Sequence, residues 1–253
     1  MNVSDDFRNA KADFDRNGFT VLKGFISPQE TATIHENLTR YVNDIVPELT
    51  PAEVLYEDKD DPETMFRLEA MQKHDAYFRG LFLDARFVDL ASHFLDDDIV
   101  PRGVELFGKA RRIGNETPPH QDGYYFMLEP PTAMTFWIAL DRADEENGCI
   151  RYINGSHSRG LRPHAMSEVL GFSQGIVDFG PDDLALEEAA VVEPGDVIAH
   201  HCMVVHRTDA NRSDKLRRAL GFVYFGQHAS VNREAAEEYR KKLFAKWENQ
   251  GKI

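Results

Sequence analysis

The first part of the chain carries apolar residues mostly at the spacing of an α-helix. A helix is predicted to begin after Ser27, because Ser27 can cap it, a proline follows, and Glu30 can close a capping box. One face of this helix then carries Ile34, Leu38, Tyr41, Val42 and Ile45. A second helix is predicted over residues 74–94, a strand over 18–25, and a loop over the polar, proline-containing residues 50–63. The chain is therefore expected to begin as a mainly helical region.

Beyond residue 100 the pattern changes to short apolar runs separated by turn residues. Such runs at regular spacing are typical of a β-sandwich or barrel. The predicted strands are residues 103–109, 124–128, 134–140, 148–153, 190–192, 197–200 and 219–225. The sixth of these strands could continue to His206. Residues 167–186, rich in glycine and without regular apolar spacing, predict a long loop over the mouth of the core, typical of a substrate lid.

Helical spacing returns at the end of the chain. The C-terminal segment, residues 230–253, is predicted to form an amphipathic helix over residues 232–247. The apolar positions expected to dock this helix on the core are Tyr239, Leu243, Phe244 and Trp247.

Charge and composition narrow the classes of partner. The formal net charge is −14, and so acidic a surface repels phosphate backbones and anionic lipid head groups. We therefore expect no nucleic acid and no membrane as partner, and the longest largely apolar run, residues 133–140, is well short of the roughly 18 residues of a membrane helix. Cys149 and Cys202 are too few for a disulfide framework and are expected to be buried packing thiols. The acidic start of the chain does not resemble a secretory signal, so we expect a cytoplasmic protein, with the oligomeric state left open.

One group of residues in the strand-rich part is a candidate metal-binding site. His120 and Asp122 lie two residues apart, and on a strand this spacing sends both side chains to the same side of the sheet. Two histidines and one carboxylate form the ligand set of non-haem iron(II) sites. The third ligand is expected to be one of three histidines in a later strand region, His200, His201 and His206. A His-x-Asp pair alone arises by chance in many proteins, but a Gly-Asp turn, a strand ending in a histidine and an arginine eleven residues later are a more restrictive pattern.

With these residues the sequence resembles the phytanoyl-CoA dioxygenase family of iron(II)- and 2-oxoglutarate-dependent oxygenases. The resemblance begins at residues 18–25 and extends to residues 217–220. Its most specific blocks are residues 119–122, residues 137–141, residues 146–149 with 155–157, and residues 206–217. The fold that it implies is mainly β with flanking helices: a double-stranded β-helix, or cupin-like jelly roll, with a helical N-terminal third and a C-terminal helix. We expect a single oxygenase domain over residues 1–253, with 1–100 as mainly helical support, 101–226 as the jelly-roll core and 230–253 as the final helix.

The resemblance also implies roles for individual residues. His120, Asp122 and His206 fall on the catalytic iron ligands, and Arg217 falls on the residue that pairs with the far carboxylate of 2-oxoglutarate. Four further positions are expected to contribute to cosubstrate binding: Thr208 through its hydroxyl, Trp137 as an aromatic wall, and, less specifically, Lys109 and Arg67. His201 is expected to pack or form hydrogen bonds, and His157 to be a turn residue.

The implied reaction is the hydroxylation of an unactivated C–H bond of a small molecule. The implied cofactors are Fe(2+), 2-oxoglutarate as cosubstrate and O2, with ascorbate as an assay additive; 2-oxoglutarate would yield succinate and carbon dioxide. Halogenating relatives carry a small residue where this chain has Asp122, so halogenation is disfavoured. Two alternatives stay open: a non-catalytic or sensor-type relative that binds iron and 2-oxoglutarate, and another metal enzyme on the same cupin-like barrel.

The substrate itself is left open by the sequence. A small cluster of basic residues is expected near the mouth of the site, formed by Arg111, Arg112, Arg159 and Arg162. One interpretation is that these residues receive an anionic substrate such as an acyl thioester, a phosphonate or a carboxylate. The other is that they form a solvated basic face with no role in binding.

Overall fold

The computed structural model describes residues 5–167, 169, 174–234, 237, 241 and 245. The helices, numbered in chain order, are α1 (Asp5–Asn17), α2 (Pro28–Asp44), α3 (Met71–His74), α4 (Ala76–Phe82), α5 (Ala85–Leu95), α6 (Asp122–Phe126) and α7 (Pro181–Leu184). The first strands are β1 (Phe19–Leu22), β2 (Val54–Tyr56), β3 (Met65–Leu68), β4 (Ile99–Lys109), β5 (Thr117–His120), β6 (Leu128–Glu129), β7 (Ala133–Ala139) and β8 (Ile150–Ile153). The remaining strands are β9 (His164–Met166), β10 (Gln174–Ile176), β11 (Glu187–Ala190), β12 (Val197–His201), β13 (His206–Thr208), β14 (Arg217–Gly226) and β15 (Ser230–Val231).

The helix predicted after Ser27 is confirmed as α2. The Ser27 hydroxyl accepts a hydrogen bond from the Glu30 backbone N–H at 3.2 Å, and the Glu30 carboxylate accepts one from the Ser27 backbone N–H at 3.0 Å. The single helix predicted over residues 74–94 is wrong, because the chain forms α4 and α5 there with breaks between. Asp75 and Asp84 cause these breaks, since each carboxylate accepts a hydrogen bond from a backbone N–H two residues later and caps a new helix.

Two antiparallel sheets form the core of the molecule. The larger sheet has seven strands in the order β1-β12-β7-β14-β4-β3-β2, and the smaller has four in the order β11-β8-β13-β5. Side chains alternate along each strand, so the two faces of the larger sheet carry different residues and contact different neighbours. One face packs against the N-terminal helices through residues such as Leu106, Phe136, Ile138, Leu220 and Phe222.

The opposite face of the larger sheet packs on the smaller sheet. Trp137 and Ala219 of the larger sheet share an apolar cluster with Ile150 and Tyr152 of the smaller one. The result is an open jelly roll with flanking helices, as expected. In the described ranges, no helix is both long enough and apolar enough to cross a membrane.

The N-terminal region contributes more β-structure than its pattern predicts. The predicted loop over residues 50–63 contains β2, which pairs with β3, and β3 in turn pairs with β4 through Arg67 opposite Phe107. These two strands extend the larger sheet at one edge. The strand predicted over residues 18–25 is confirmed as β1 at the other edge of the same sheet.

Two predicted strands differ in a way that shapes the site. Residues 124–128 were expected to be a strand, but α6 occupies most of them, because Gly123 packs closely on Met203 and donates its N–H to the Cys202 carbonyl at 2.8 Å. The strand at 197–200 does not continue to His206. The chain turns after β12 and re-enters the smaller sheet as β13, so one segment supplies strands to both sheets.

The glycine-rich region 167–186 is only partly a loop. It contains β10, which pairs with β9, and the short helix α7. The four apolar positions predicted to dock the C-terminal helix, residues 239, 243, 244 and 247, lie outside the described residues.

Candidate functional site

A cavity of about 870 Å³ opens between the two sheets. It is bordered by strands of the larger sheet, by β5 and β13 of the smaller sheet, and by α6. The structure brings together at this cavity all eight residues predicted for the site: His120, Asp122, His206, Arg217, Thr208, Trp137, Lys109 and Arg67.

Three of these side chains converge on one point. His120 is the last residue of β5 and lies directly opposite His206, the first residue of β13. Asp122 is not on the strand as its spacing suggested, because the chain turns at Gln121 and Asp122 begins α6. One Asp122 oxygen, Oδ1, lies 3.6 Å from His120 Nε2 and 3.8 Å from His206 Nε2. The three ligand atoms all lie within 4.8 Å of one another, so this group can hold a metal ion.

The orientation of both imidazoles favours a cation at this point. His120 Nδ1 lies 2.8 Å from the Pro118 carbonyl and His206 Nδ1 lies 3.1 Å from the Val204 carbonyl. A carbonyl only accepts hydrogen bonds, so Nδ1 carries the proton and Nε2 offers a lone pair. Burial lowers the pKa of His120 and lowers that of His206 to about 3, which keeps both rings neutral. Two nitrogen lone pairs and a carboxylate oxygen thus face one another, an arrangement that a divalent cation would stabilise.

Asp122 is held by a second layer of side chains. His200 Nε2 lies 3.2 Å from Asp122 Oδ2, and the Thr135 hydroxyl lies 3.4 Å from the same oxygen. His200 Nδ1 lies 2.9 Å from the buried hydroxyl of Tyr152. A carboxylate only accepts hydrogen bonds, so His200 Nε2 carries the proton that it donates to Asp122, and His200 Nδ1 accepts one from the Tyr152 hydroxyl. Oδ2 is therefore occupied, and Oδ1 is left facing His120 and His206.

The ionisation of Asp122 follows from the same contacts. Burial by itself would raise the pKa of this carboxyl, but the hydrogen bond from His200 and the neighbouring imidazoles outweigh burial and hold the pKa well below its usual range. The carboxylate is therefore charged at neutral pH.

His200 was considered only as a possible metal ligand, and Tyr152 was not predicted for the site. The alternation along β12 was the available signal, since Ile198 faces the smaller sheet and His200 lies two residues further on the same side. His201, on the other side, contacts the rings of Phe14 and His157, in agreement with its predicted packing role.

Two buried cations lie at another part of the cavity. Arg217, the first residue of β14, is paired with Lys109, the last residue of β4. Both side chains are buried, and across residues 5–167 and 174–234 no carboxylate lies within ion-pair distance of either. Among the described atoms, Arg217 Nε has no hydrogen-bond partner, and the guanidinium lies 5.4 Å from the centre of the Trp137 ring.

The pKa values of both groups reflect this lack of compensation. Burial lowers the pKa of Arg217 to about 10, and burial together with the Arg217 charge lowers that of Lys109 to about 7. Lys109 Nζ donates a hydrogen bond to the Asn115 carbonyl, which leaves its charge unpaired. Buried charges without a counterion are costly, so this pair favours an incoming anion.

Thr208 and Arg67 have different surroundings. The Thr208 hydroxyl accepts a hydrogen bond from the Thr117 backbone N–H at 3.2 Å, which leaves its own proton free to donate. Arg67 lies 2.8 Å from Glu105 Oε2 and 2.6 Å from Glu69 Oε1. Its charge is thus already engaged by two carboxylates.

The four arginines predicted near the mouth do not line the cavity in the part of the chain that the structure describes. Arg112 forms an ion pair with Asp214, and Arg162 forms ion pairs with Asp178 and Asp183. The charges of Arg112 and Arg162 are thus compensated locally, and the position of the four arginines near the mouth stays a prediction.

An open jelly roll that carries two imidazoles and a carboxylate at one point has the architecture of the non-haem metal oxygenases. Residues 14–219 match the model of the family described as Phytanoyl-CoA dioxygenase (PhyH), and the chain belongs to this family. It is 25% identical over 225 residues to the peroxisomal phytanoyl-CoA dioxygenase of Rattus norvegicus, a match that covers 83% of this chain and 66% of that protein. The chain thus spans slightly less than two thirds of the length of that relative.

Solved structures share the fold. The epimerase SnoN, crystallised in complex with Fe3+, alpha ketoglutarate and nogalamycin RO, superposes with a TM-score of 0.72 at 20% identity, covering 89% of this chain and 86% of SnoN. AviO1 from Streptomyces viridochromogenes Tue57 superposes with a TM-score of 0.68 at 26% identity, covering 90% of this chain and 98% of AviO1.

Proposed function

We propose that the chain is an iron(II)- and 2-oxoglutarate-dependent dioxygenase that hydroxylates an unactivated C–H bond of a small molecule. The observation that carries this proposal is the presence of two complementary groups in one cavity: three electron-pair donors at one point, and an unpaired buried arginine at another. The first group suits a metal ion and the second suits a carboxylate. Family membership supports the same reaction class.

His120, Asp122 and His206 would hold the iron ion. The donor set of two neutral imidazoles and one carboxylate fits iron(II) and leaves positions open for other ligands. Bound there, iron would supply the oxygen activation and one-electron chemistry that no side chain can provide. Tyr152 and His200 orient Asp122 through the chain of hydrogen bonds described above, so they act as positioning residues.

Arg217 would bind the far carboxylate of 2-oxoglutarate. Its planar guanidinium matches a carboxylate through two parallel hydrogen bonds, and its Nε lacks any other described partner. Lys109 and Thr208 would add a second positive charge and a hydroxyl donor, and Trp137 would form an apolar wall. An anion at this position would compensate the two buried cations.

The overall reaction balances without further reagents. One C–H bond of the substrate and one molecule each of O2 and 2-oxoglutarate would be converted into a C–OH product, succinate and carbon dioxide. The structural relative SnoN is described as an epimerase. The product formed from the substrate must therefore be identified separately from succinate.

The test is an anaerobically reconstituted assay with Fe(2+), ascorbate and 2-oxoglutarate. Succinate is measured with and without a panel of candidate small molecules, and product oxygen is traced by mass spectrometry with labelled O2. We expect substrate-stimulated succinate together with one labelled oxygen in the product. Stimulated succinate without incorporated oxygen would replace hydroxylation by another oxidation. Binding of both cofactors with no succinate under any condition would favour a sensor-type protein, and failure to bind 2-oxoglutarate would favour another metal enzyme.

A further inference from the structure

The charged residues that line the cavity are divided unevenly. The basic pair Lys109 and Arg217 lies together and suits the anionic cosubstrate. Among the described residues, and apart from this pair and Asp122, the charged residues lining the cavity are four acidic ones, Glu57, Asp58, Glu105 and Glu116, against two basic ones, Lys59 and Arg67. Glu57 and Glu116 act on Lys109, whereas Glu105 lies apart from the basic pair and is held by Arg67.

Arg67 does not offset this surplus, because it is shared between two carboxylates. It contacts Glu105 at 2.8 Å and Glu69 at 2.6 Å. One guanidinium cannot fully compensate two carboxylates. Burial, reinforced by the Glu69 charge, raises the pKa of Glu105 to about 8, so this carboxyl is largely protonated at pH 7 and a bound cation would favour its charged form.

Glu105 faces the cavity from the middle of β4. Its side chain is 20% exposed, and this residue lines the same space as the metal cluster. The neighbouring walls are apolar or aromatic and include Phe66, Phe107, Tyr125, Phe126 and Val223. A carboxylate in an apolar wall recognises a group that brings a positive charge or several donated hydrogen bonds, because water solvates it incompletely.

The surface arginines do not change this picture. Arg111, Arg112, Arg159 and Arg162 are absent from the lining of the cavity as far as the chain is described. An anionic substrate would therefore meet the acidic lining, and the buried basic pair is already assigned to 2-oxoglutarate.

We propose that the substrate of this enzyme carries a protonated amine, and that Glu105, held in place by Arg67, is the residue that recognises it. This inference rests on the proposed function for the position of the reacting carbon, and it places the amine on the β4 side of the cavity. It makes anionic acyl thioesters poor substrates for this chain.

The test compares three probes of matched size, namely 4-phenylbutylamine, 4-phenylbutanol and 4-phenylbutyrate. Each is titrated calorimetrically into the full chain loaded with Zn(II), which is redox-inert, and saturated with 2-oxoglutarate, which blocks the basic pair. We expect the amine to bind at least about tenfold more tightly than the carboxylate, with the alcohol between them. Glu105→Gln should weaken the affinity for the amine by about tenfold and change the affinity for the alcohol by less than about twofold.

Glu188→Gln is the matched control, because it makes the same charge change at an exposed position outside the cavity. It should leave all three affinities unchanged. The proposal is overturned if the carboxylate binds as tightly as the amine, if Glu105→Gln leaves the amine unaffected, or if the amine shows no binding up to about 1 mM. The comparison of probes on the unmodified chain does not depend on the folding of any variant.

The proposed function fails independently of this result. If the Zn(II)-loaded chain does not bind 2-oxoglutarate, the oxygenase assignment is overturned. The preference between amine and carboxylate is then measured with the metal alone and is judged separately.

Discussion

Arg217 and Arg67 line the same cavity, but their surroundings differ. Arg217 is buried beside another cation, and no carboxylate is within ion-pair distance of it in the described parts of the chain. Arg67 contacts two carboxylates, Glu69 and Glu105. A guanidinium without a counterion favours an anionic ligand, whereas a guanidinium already paired twice orients the acidic groups around it. The comparison shows that the partners of a charged residue, more than its type, decide what it binds.

The largest expected effect concerns the metal cluster. Asp122→Ala removes the one carboxylate of the cluster, so we expect metal affinity to fall by about a hundredfold or more and turnover to be abolished. Metal content after anaerobic titration gives a readout separate from activity. Asp178→Ala, an exposed residue outside the cavity lining, is the matched control. If the Asp122→Ala variant still bound one equivalent of metal tightly, the assigned ligand set would be contradicted.

The next largest effect breaks the comparison directly. Arg217→Gln should weaken 2-oxoglutarate binding by about a hundredfold, because it removes a buried charge that pairs with a carboxylate. Arg67→Gln should change 2-oxoglutarate binding by less than about threefold, since that arginine is engaged elsewhere. Both affinities are measured by calorimetry on the Zn(II)-loaded protein. Equal losses of affinity in the two variants would show that Arg67 also holds the cosubstrate, and would contradict the different roles given to the two arginines.

A pH series sharpens the role of the basic pair. The pKa of Lys109 is lowered to about 7 by burial and by Arg217, so Lys109 loses its proton as the pH rises through 7. An anion beside it favours the charged form, so binding of 2-oxoglutarate takes up a proton above that pH. We expect the affinity to fall by up to about tenfold per pH unit between about pH 7 and 9.

Lys109→Met should remove most of that pH dependence and bind more weakly at pH 7. Lys215→Met, at an exposed position, should follow the unmodified chain. A pH-independent affinity in the unmodified chain would mean that Lys109 does not contact the cosubstrate.

The smallest expected effect lies in the support of the metal cluster. Tyr152→Phe removes the hydroxyl that hydrogen-bonds to His200 Nδ1, so His200 is no longer held in the form that donates to Asp122. We expect metal affinity to fall by about threefold to tenfold, less than for loss of a ligand. The visible spectrum of the Co(II)-loaded protein should change as well, because the carboxylate can rotate. An unchanged spectrum and affinity would make Tyr152 a packing residue only.

Local patterns in the sequence were sufficient for part of the site. His120 and Asp122 are two residues apart, and Thr208 follows His206 by two, so chain geometry alone keeps each pair close. The prediction that Asp122 lies on the same strand as His120 was nevertheless wrong. Asp122 begins a helix, because Gly123 packs against Met203. Aromatic residues suit both helix and strand, so the segment 124–128 was ambiguous without its neighbours.

Other members of the site depend on contacts between distant segments. His200 reaches Asp122 only because β12 lies in the larger sheet while β13 has crossed to the smaller one. The pairing of Arg67 with Glu105 needs β3 beside β4, and the sequence pattern predicted no strand at residues 65–68. The same reason applies to Arg112 and Arg162, whose acidic partners lie in other segments of the chain.

The sequence by itself predicted a strand-rich core with helical support and the pair His120 and Asp122, and its resemblance to the oxygenase family added His206, Arg217 and the class of oxygenase. These depend on alternation, on short spacings and on motifs, all of which are local properties of the chain. Only the tertiary structure decided which buried charges are paired and which are not. Pairing depends on which strands become neighbours, and the free energy of a buried charge depends on the groups within a few ångströms of it.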